Sequence, residues 1–531
     1  MENEMVSTGA SESRQALHAI EQLVTFAYNH GLIQEADIDY SRNLLLEEFG
    51  FDEPFLEAVG DEVPASPQQM LDVLIDYAAA HEMIQENSDT YRDLLDAKIM
   101  GLLMARPSEV TAEFMKRKDA QGIQAATDYF YKLCIDSNYI RMDRVAKNEY
   151  WKYESVYGDI EITINLSKPE KSPKEIALAK LLPPPVYPKC QLCRENVGYA
   201  GRVNHPARQN LRVIPLELNG EKWFFQYSPY VYYNEHSIIF HHDHVPMKLT
   251  KDTLKRLLGF VEAYPHYFLG SNADLPIVGG SILTHDHFQG GRHTFPIQKA
   301  EVTASFTHKT HPDVSLGIVH WPMSVLRLRA ADAESLLECA NEVYESWKGY
   351  SDAELDIEAW SWIEGEKVRH NTVTPIARRS ADGEYEMDLV LRNNRTNEQH
   401  PEGIFHPHRE MHHIKKENIG LIEVMGLAIL PGRLKSELDQ IADILSGHSE
   451  LYEASLMEGH PLAVHRDWIS DLMQAEDAGS LTKEEAVEKI QYQVGGIFTT
   501  ILEQAGVYKH TEEGQRGFHR FLTSMGYTQH S

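Results

Sequence analysis

The sequence predicts an α+β protein: two similar α+β halves built on antiparallel sheet, flanked by helical N- and C-terminal regions. Three observations carry this. Apolar residues recur at helical spacing at both ends of the chain, β-branched and aromatic runs fill the middle, and one order of strand, helix, strand and His-x-His occurs twice there. At 531 residues the chain is too long for one small core.

Residues 1–135 read as helix, with Leu23, Phe26 and Ala27, then Leu71, Leu74, Ile75 and Ala78, on apolar faces. A weak repeat runs through this region. His30/His81, Ile33/Ile84, Gln34/Gln85, Glu35/Glu86, Tyr40/Tyr91 and Leu44/Leu95 are identical pairs 51 positions apart. Two helical units packed on each other explain this better than a solenoid, which needs three or more repeats. Their histidines read as structural or exposed.

The first α+β half spans residues 136–330. Glu161–Leu166 alternates apolar with polar, and Leu182–Pro188 is a proline-rich connector. Trp223–Tyr227, Tyr230–Tyr233 and Ser237–Phe240 read as sheet, and Thr250 as the N-cap of a helix whose apolar face is Leu254, Leu257, Leu258 and Val261. The second half, 331–433, repeats the order. Val325–Leu328 leads in as a strand, followed by a helix bearing Leu336, Leu337, Ala340, Tyr344 and Trp347. A strand at Asp388–Leu391, His406 and His408, and an apolar strand at Ile419–Leu430 complete it. Residues 434–531 return to helix, notably Lys435–Leu445 and Thr482–Gln504.

Composition excludes several classes. A formal charge of −30 lacks the basic footprint of a nucleic-acid or acidic-membrane binder. No apolar run reaches membrane-span length, and the acidic start Met1-Glu2-Asn3-Glu4 is no secretory signal. Four cysteines in so long a chain make no disulfide framework, so a reducing cytoplasm is expected.

Chemistry concentrates at residues 281–291, Ser-Ile-Leu-Thr-His-Asp-His-Phe-Gln-Gly-Gly. In an extended strand His285, His287 and Gln289 share one face, with Asp286 and Phe288 on the other. Neutral imidazole is a competent nucleophile near pH 7, and a neutral amide beside it can position a phosphate. Spacing alone is weak: with 27 histidines, roughly one or two His-x-His pairs arise by chance, against the three present, 242/244, 285/287 and 406/408. The setting adds weight, with glycines at 279–280 and 290–291 that permit close backbone approach.

Cys190-Gln191-Leu192-Cys193 can chelate a tetrahedral zinc if two ligands come from elsewhere, and His244 and His285 are the candidates. No thioredoxin-like βαβ context supports a redox dithiol instead. His406, His408, His412 and His413, near Glu410 and Glu417, are candidates for a second metal, with His370 or Glu301 as further ligands. A polar loop is the equal alternative. Asn393-Asn394-Arg395-Thr396-Asn397 suits phosphate or sugar hydroxyls, and Lys168 and Lys171 suit phosphate.

These residues resemble the galactose-1-phosphate (hexose-1-phosphate) uridylyltransferases of the histidine-triad superfamily, in their longer-chain second class. His285–Gln289 is similar to the family's His-Pro-His-Gly-Gln strand, and Ser237–Gly291 and Leu391–Leu430 read like the second class almost continuously. The resemblance implies two histidine-triad-like halves. It implies a ping-pong transfer of uridylyl from UDP-glucose to galactose 1-phosphate, with His287 as nucleophile and Gln289 on the phosphate. It further implies zinc, in a structural role, on Cys190, Cys193, His244 and His285, a second metal at His406 and His408, and no organic cofactor. Asn272, Gly279 and Ser281 resemble the nucleotide-binding turn, and a homodimer in the cytoplasm is expected. Asp286 and Phe288 replace the family's proline and glycine, Lys168 and Lys171 stand for its Arg-x-x-Arg, and its sugar-contacting glutamate falls near Ala428. Two other readings stand beside this one: a histidine-triad phosphorylase or hydrolase of dinucleoside polyphosphates, and a non-catalytic metal-binding scaffold.

Overall fold

The structure is a computed structural model that describes residues 2–57, 64–167, 182–183, 186–280, 282–474 and 479–529. Its contacts divide the chain into two compact units. The first comprises Met1–Lys147, Ser167–Val231 and Glu235–Val245; the second comprises Asn148–Leu166, Tyr232–Asn234 and Pro246–Ser531.

In the first unit, helices Glu2–Asn29 and Ile38–Phe49 pack respectively on Gln68–Ala80 and Asp89–Leu102. The 51-residue repeat has a local physical meaning here. His30 Nδ1 bonds the Phe26 carbonyl at 2.9 Å while its ring stacks on Phe26, and His81 Nδ1 does the same to Tyr77 at 2.9 Å. Each ring thus adds a second bond to a last-turn carbonyl that the same histidine's backbone N–H already bonds at 3.0 Å. The next residue turns left-handed in both copies, Gly31 at φ +70° and Glu82 at φ +58°. The unit also holds an antiparallel meander of Ile214–Leu218, Glu221–Tyr227 and Ser237–His241.

Asp96, on helix Asp89–Leu102, is buried and pairs with Asn138 Nδ2 at 3.0 Å and Arg141 at 3.2 Å. Burial pushes its carboxyl up to about 6, and Arg141 opposes this only in part. A carboxyl raised on folding gives stability that is full below its unfolded value near 3.8 and lost as pH rises through 6. Asp96→Asn is therefore expected to gain stability relative to the natural chain between pH 5 and pH 8, on the order of 1–3 kcal/mol. Melting both proteins at the two pH values checks this; parallel curves would refute it.

The second unit carries the long antiparallel sheet. From one edge its strands run Thr528–Gln529, Val302–Thr307, Ser315–Val319, Val325–Ala330, Tyr385–Asn393, Asn371–Arg379, Phe268–Gly270 and His287–Gly291. Helices Lys251–Ala263 and Ala333–Gly349 pack on it. Both bury the predicted faces: Leu254, Leu257, Leu258 and Val261 on the first, Leu336, Leu337, Ala340, Tyr344 and Trp347 on the second. Asp332 caps the second helix by accepting from Ser335 N at 2.7 Å. A smaller sheet joins the hairpin Glu149–Ser155/Gly158–Ile164 to Leu427–Leu430 in parallel, and C-terminal helices Arg433–Leu445 and Lys483–Ala505 share its core.

Two predicted strands are not strands. Tyr230–Tyr233 is an irregular loop that begins after Pro229, and within it the Tyr233 hydroxyl donates to the Gly290 carbonyl at 2.9 Å. Ile419–Leu430 breaks into a short helix, Leu421–Val424, and the strand Leu427–Leu430. Gly426 separates them at φ +99°, where an added Cβ would stand 2.8 Å from Trp321.

Candidate functional site

The strand predicted to carry the chemistry forms as His287–Gly291, and His285 lies just before it in a bend. Phe288 is buried on the opposite face from His287 and Gln289. Gln289 pairs with Gly270 in the ladder, where a larger residue would meet Leu421 at 2.7 Å.

His287 is buried, and its Nδ1 lies 2.8 Å from the His285 carbonyl oxygen. A carbonyl only accepts, so Nδ1 carries the proton and Nε2 presents a lone pair. Burial pushes the imidazolium down to about 4 against the opposing effect of that carbonyl, so the ring is neutral at pH 7.

The turn after Phe268–Gly270 is tied to the segment around Leu421. Buried Asn272 accepts from Leu421 N through Oδ1 at 2.9 Å, Ala273 bridges Gly279, and Asn418 Nδ2 donates to the Gly279 carbonyl at 3.2 Å. There is no room for side chains at these glycines. A Cβ on Gly280 would stand 2.7 Å from Asn272 Nδ2, and one on Gly279 would stand 2.6 Å from both the Ala273 and Leu275 carbonyl oxygens. Gly279→Ala must move backbone, and its melting temperature is expected to fall by an amount equivalent to about 1–3 kcal/mol. An unchanged melting temperature would contradict this packing.

Sequence reading passed over the polar group beneath this turn. Lys415 Nζ reaches Glu423 at 2.9 Å in a buried pair, and Glu423 also accepts from Gly420 N at 3.2 Å. Arg392 is 1 % exposed with its Nη1 3.4 Å from Thr374 Oγ1. Burial pushes its guanidinium down to about 10, against Glu423. Lys415, Glu423 and Arg392 lie in no recognisable motif, so only the three-dimensional arrangement identifies them.

In the first unit, Cys190 Sγ and Cys193 Sγ are 3.7 Å apart and Cys193 Sγ is 3.3 Å from His244 Nδ1. A tetrahedral zinc with ordinary bond lengths spaces two sulfurs by ~3.8 Å and sulfur from nitrogen by ~3.5 Å. The donors therefore fit zinc in both chemistry and spacing. His285 is buried in the second unit.

Other predicted residues are used differently. Arg395 forms an ion pair with Asp356 and donates to its carbonyl oxygen at 2.6 Å, while Asn393 and Asn394 bond Asn371 and His370. That loop spends these groups on its own structure. His406 Nδ1 bonds the Pro407 carbonyl at 3.2 Å and His408 Nε2 bonds that of Ile404 at 3.2 Å, with His408 stacked on His400. No group of three ligating side chains containing His406 or His408 occurs among the described residues. His370 has both ring nitrogens engaged, by Ser361 and Asn394, and Glu301 is exposed. His412 bonds the Pro407 carbonyl and His413 bonds His465. Lys168, Lys171 and Ser281 lie outside the described residues. Among those residues no helix is long and apolar enough to cross a membrane.

Residues 33–246 match the family model described as galactose-1-phosphate uridyl transferase, N-terminal domain, and residues 260–468 match the corresponding C-terminal domain. The chain is 53% identical over 514 residues to a galactose-1-phosphate uridylyltransferase of Caldanaerobacter subterraneus subsp. tengcongensis, covering 97% of this chain and 99% of that one. It is 49% identical to that of Bacillus subtilis over 511 residues, covering 96% and 97%. A solved structure, yeast Ap4A phosphorylase Apa2, matches at a TM-score of 0.30 and 14% identity over 56% of this chain and 87% of its own, too remote to carry an argument. With both family domains matched and half its residues identical to such relatives over nearly its whole length, the chain belongs to the galactose-1-phosphate uridylyltransferase family.

Proposed function

We propose that the chain transfers the uridylyl group of UDP-glucose to galactose 1-phosphate, giving glucose 1-phosphate and UDP-galactose. The observation that carries this reading is the His287 ring, neutral and with Nδ1–H held by the His285 carbonyl at 2.8 Å. His287 Nε2 attacks the α-phosphorus of UDP-glucose, and the bond from that phosphorus to the departing glucose 1-phosphate oxygen breaks. Galactose 1-phosphate then attacks the same phosphorus and frees the imidazole. The leaving phosphate is a weak base, so no general acid is required, and two displacements give ping-pong kinetics. Gln289 steadies charge on the nonbridging oxygens. The resemblance assigns nucleotide contact to Asn272, Gly279 and Ser281, and phosphate contact to Lys168 and Lys171.

Cys190, Cys193, His244 and His285 would hold a zinc ion, which would serve a structural role. The halves 136–330 and 331–433, between helical regions 1–135 and 434–531, are proposed as the working organisation, in a cytoplasmic homodimer. Trapping a radiolabelled uridylyl-enzyme from UDP-glucose tests the reading directly. A label that forms and is then discharged by galactose 1-phosphate supports it. A label discharged only by water or inorganic phosphate would assign the chain to hydrolysis or phosphorolysis instead.

A further inference from the structure

In the second unit, strand Val302–Thr307 ends in a tight loop that returns as Ser315–Val319. His308 opens that loop and His311 follows three residues later. The His311 N–H bonds the His308 carbonyl at 3.2 Å, and the Val314 N–H bonds that of His311 at 3.2 Å. These turns bring the two imidazoles together, with ring centroids 5.8 Å apart and planes inclined at 30°. Glu342, on helix Ala333–Gly349, meets them there, its carboxylate 2.7 Å from His311 Nε2. A ring nitrogen of each histidine and a carboxylate oxygen of Glu342 all lie within 4.8 Å of one another.

The surroundings hold this group in place. Thr528 and Gln529 pair with Thr307 and Phe306 at the root of the loop, and the Tyr527 ring lies 4.7 Å from that of His308. The Tyr527 hydroxyl is in turn 3.1 Å from Sγ of buried Cys339, one helical turn before Glu342. Charge also has a direction. Glu338, on the same helix, pairs with Lys251, whereas among the described residues Glu342 has His311 but no lysine or arginine as ion-pair partner. A histidine–carboxylate hydrogen bond accounts for two members of the group but not for the second imidazole beside them. Two imidazoles and one carboxylate are a donor set for a divalent transition metal, with positions left over for water. A tetrahedral zinc with ordinary bond lengths spaces such donors by ~3.4 Å, so the 2.7 Å hydrogen bond need open by only ~0.7 Å. The His311 and Glu342 side chains are 13% and 37% exposed, which leaves an ion a way in.

We infer that His308, His311 and Glu342 bind one divalent transition-metal ion of the zinc type, which ties the loop after Val302–Thr307 to helix Ala333–Gly349. Three donors without a thiolate, partly open to water, hold an ion less firmly than the four proposed around Cys190. The ion is therefore lost on desalting and restored by added metal. The inference is independent of the uridylyl-transfer reading, since none of these residues is assigned to that reaction.

The test titrates the full-length protein, as purified and desalted, with zinc chloride in a calorimeter. The natural chain is expected to take up one equivalent more than His308→Gln or Glu342→Gln, with a dissociation constant below about 100 μM. Each variant removes one of three donors and is expected to weaken that equivalent about a hundredfold or more. Any zinc on Cys190 and Cys193 is common to all three proteins and cancels in the comparison. Added zinc is expected to raise the melting temperature of the natural chain more than that of either variant. Crystals soaked in zinc are expected to show an anomalous peak within bonding distance of all three side chains. Equal zinc uptake and affinity in the three proteins would overturn the inference and leave His311 and Glu342 as a hydrogen bond alone. A peak without variant-sensitive uptake below about 100 μM means binding at crystal concentration only and overturns it too. Should one variant fail to fold, the other decides; should both fail, the presence or absence of the peak decides. Both variants are expected to keep the exchange of UDP-glucose with galactose 1-phosphate. Loss of exchange in every form of the protein would refute the transfer reading while leaving the zinc titration intact.

Discussion

Uridylyl exchange is expected to fall by about 10⁴-fold or more in His287→Ala, the scale seen when a covalent nucleophile is removed from an otherwise intact site. The neighbouring structure gives the reason for so large an effect. The ring's Nδ1 is held by the His285 carbonyl at 2.8 Å, leaving Nε2 as the atom proposed to attack, and burial keeps the ring uncharged. An alanine leaves Gln289 and the turn at Asn272 in place, so nucleotide affinity is expected to survive within a few fold while chemistry does not. His287→Gly sharpens the test. The cavity left by the ring admits an imidazole already carrying uridylyl, and transfer from that compound to galactose 1-phosphate is expected to recover. A variant that exchanges at the natural rate, or one that loses nucleotide binding together with activity and cannot be rescued, would refute the nucleophile assignment.

The sequence was most informative where chemistry and local geometry coincide. Alternation placed Phe288 opposite His287 and Gln289, helical spacing marked the buried faces of Lys251–Ala263 and Ala333–Gly349, and Cys190 and Cys193 stand with His244 at zinc-like spacing. Local signals failed where a long-range contact overrides them. Tyr230–Tyr233 has strand composition, yet Tyr233 is drawn off to hydrogen-bond the Gly290 carbonyl, and Gly426 cuts an apolar run because Trp321 occupies the space a side chain would need. Dense polar clusters misled for a related reason. His406, His408 and Arg395 have the composition of a ligand site, but their carbonyl and carboxylate partners come from the folded loop and are invisible in a pattern of letters. The same limit hid Arg392 and the pair Lys415–Glu423: single polar residues in apolar surroundings, they acquire meaning only when buried beside one another.

Cys193→Ser is expected to abolish zinc retention and to lower the melting temperature by several degrees. Cys193 is central to the proposed donor set: its sulfur lies 3.7 Å from that of Cys190 and 3.3 Å from His244 Nδ1. Those separations exceed a disulfide bond of ~2.0 Å and match the edges of a zinc tetrahedron. A metal that binds only the folded chain stabilises it by about 4 kcal/mol when present at a thousandfold over its dissociation constant, and a hydroxyl in place of the thiolate forfeits most of that. Metal analysis of the purified proteins should give one zinc in the natural chain and none in the variant, with a chelator lowering only the natural chain's melting temperature. The proposal that His285 is the fourth ligand makes a stricter demand. The His285 carbonyl also sets the tautomer of His287, so releasing the His285 ring should loosen the acceptor that keeps His287 Nε2 unprotonated. The folded fraction of Cys193→Ser is then expected to show a reduced kcat with little change in the KM for UDP-glucose. Equal zinc content in both proteins would remove Cys193 from the donor set, and an unchanged kcat in folded, zinc-free protein would separate the metal from the positioning of the nucleophile.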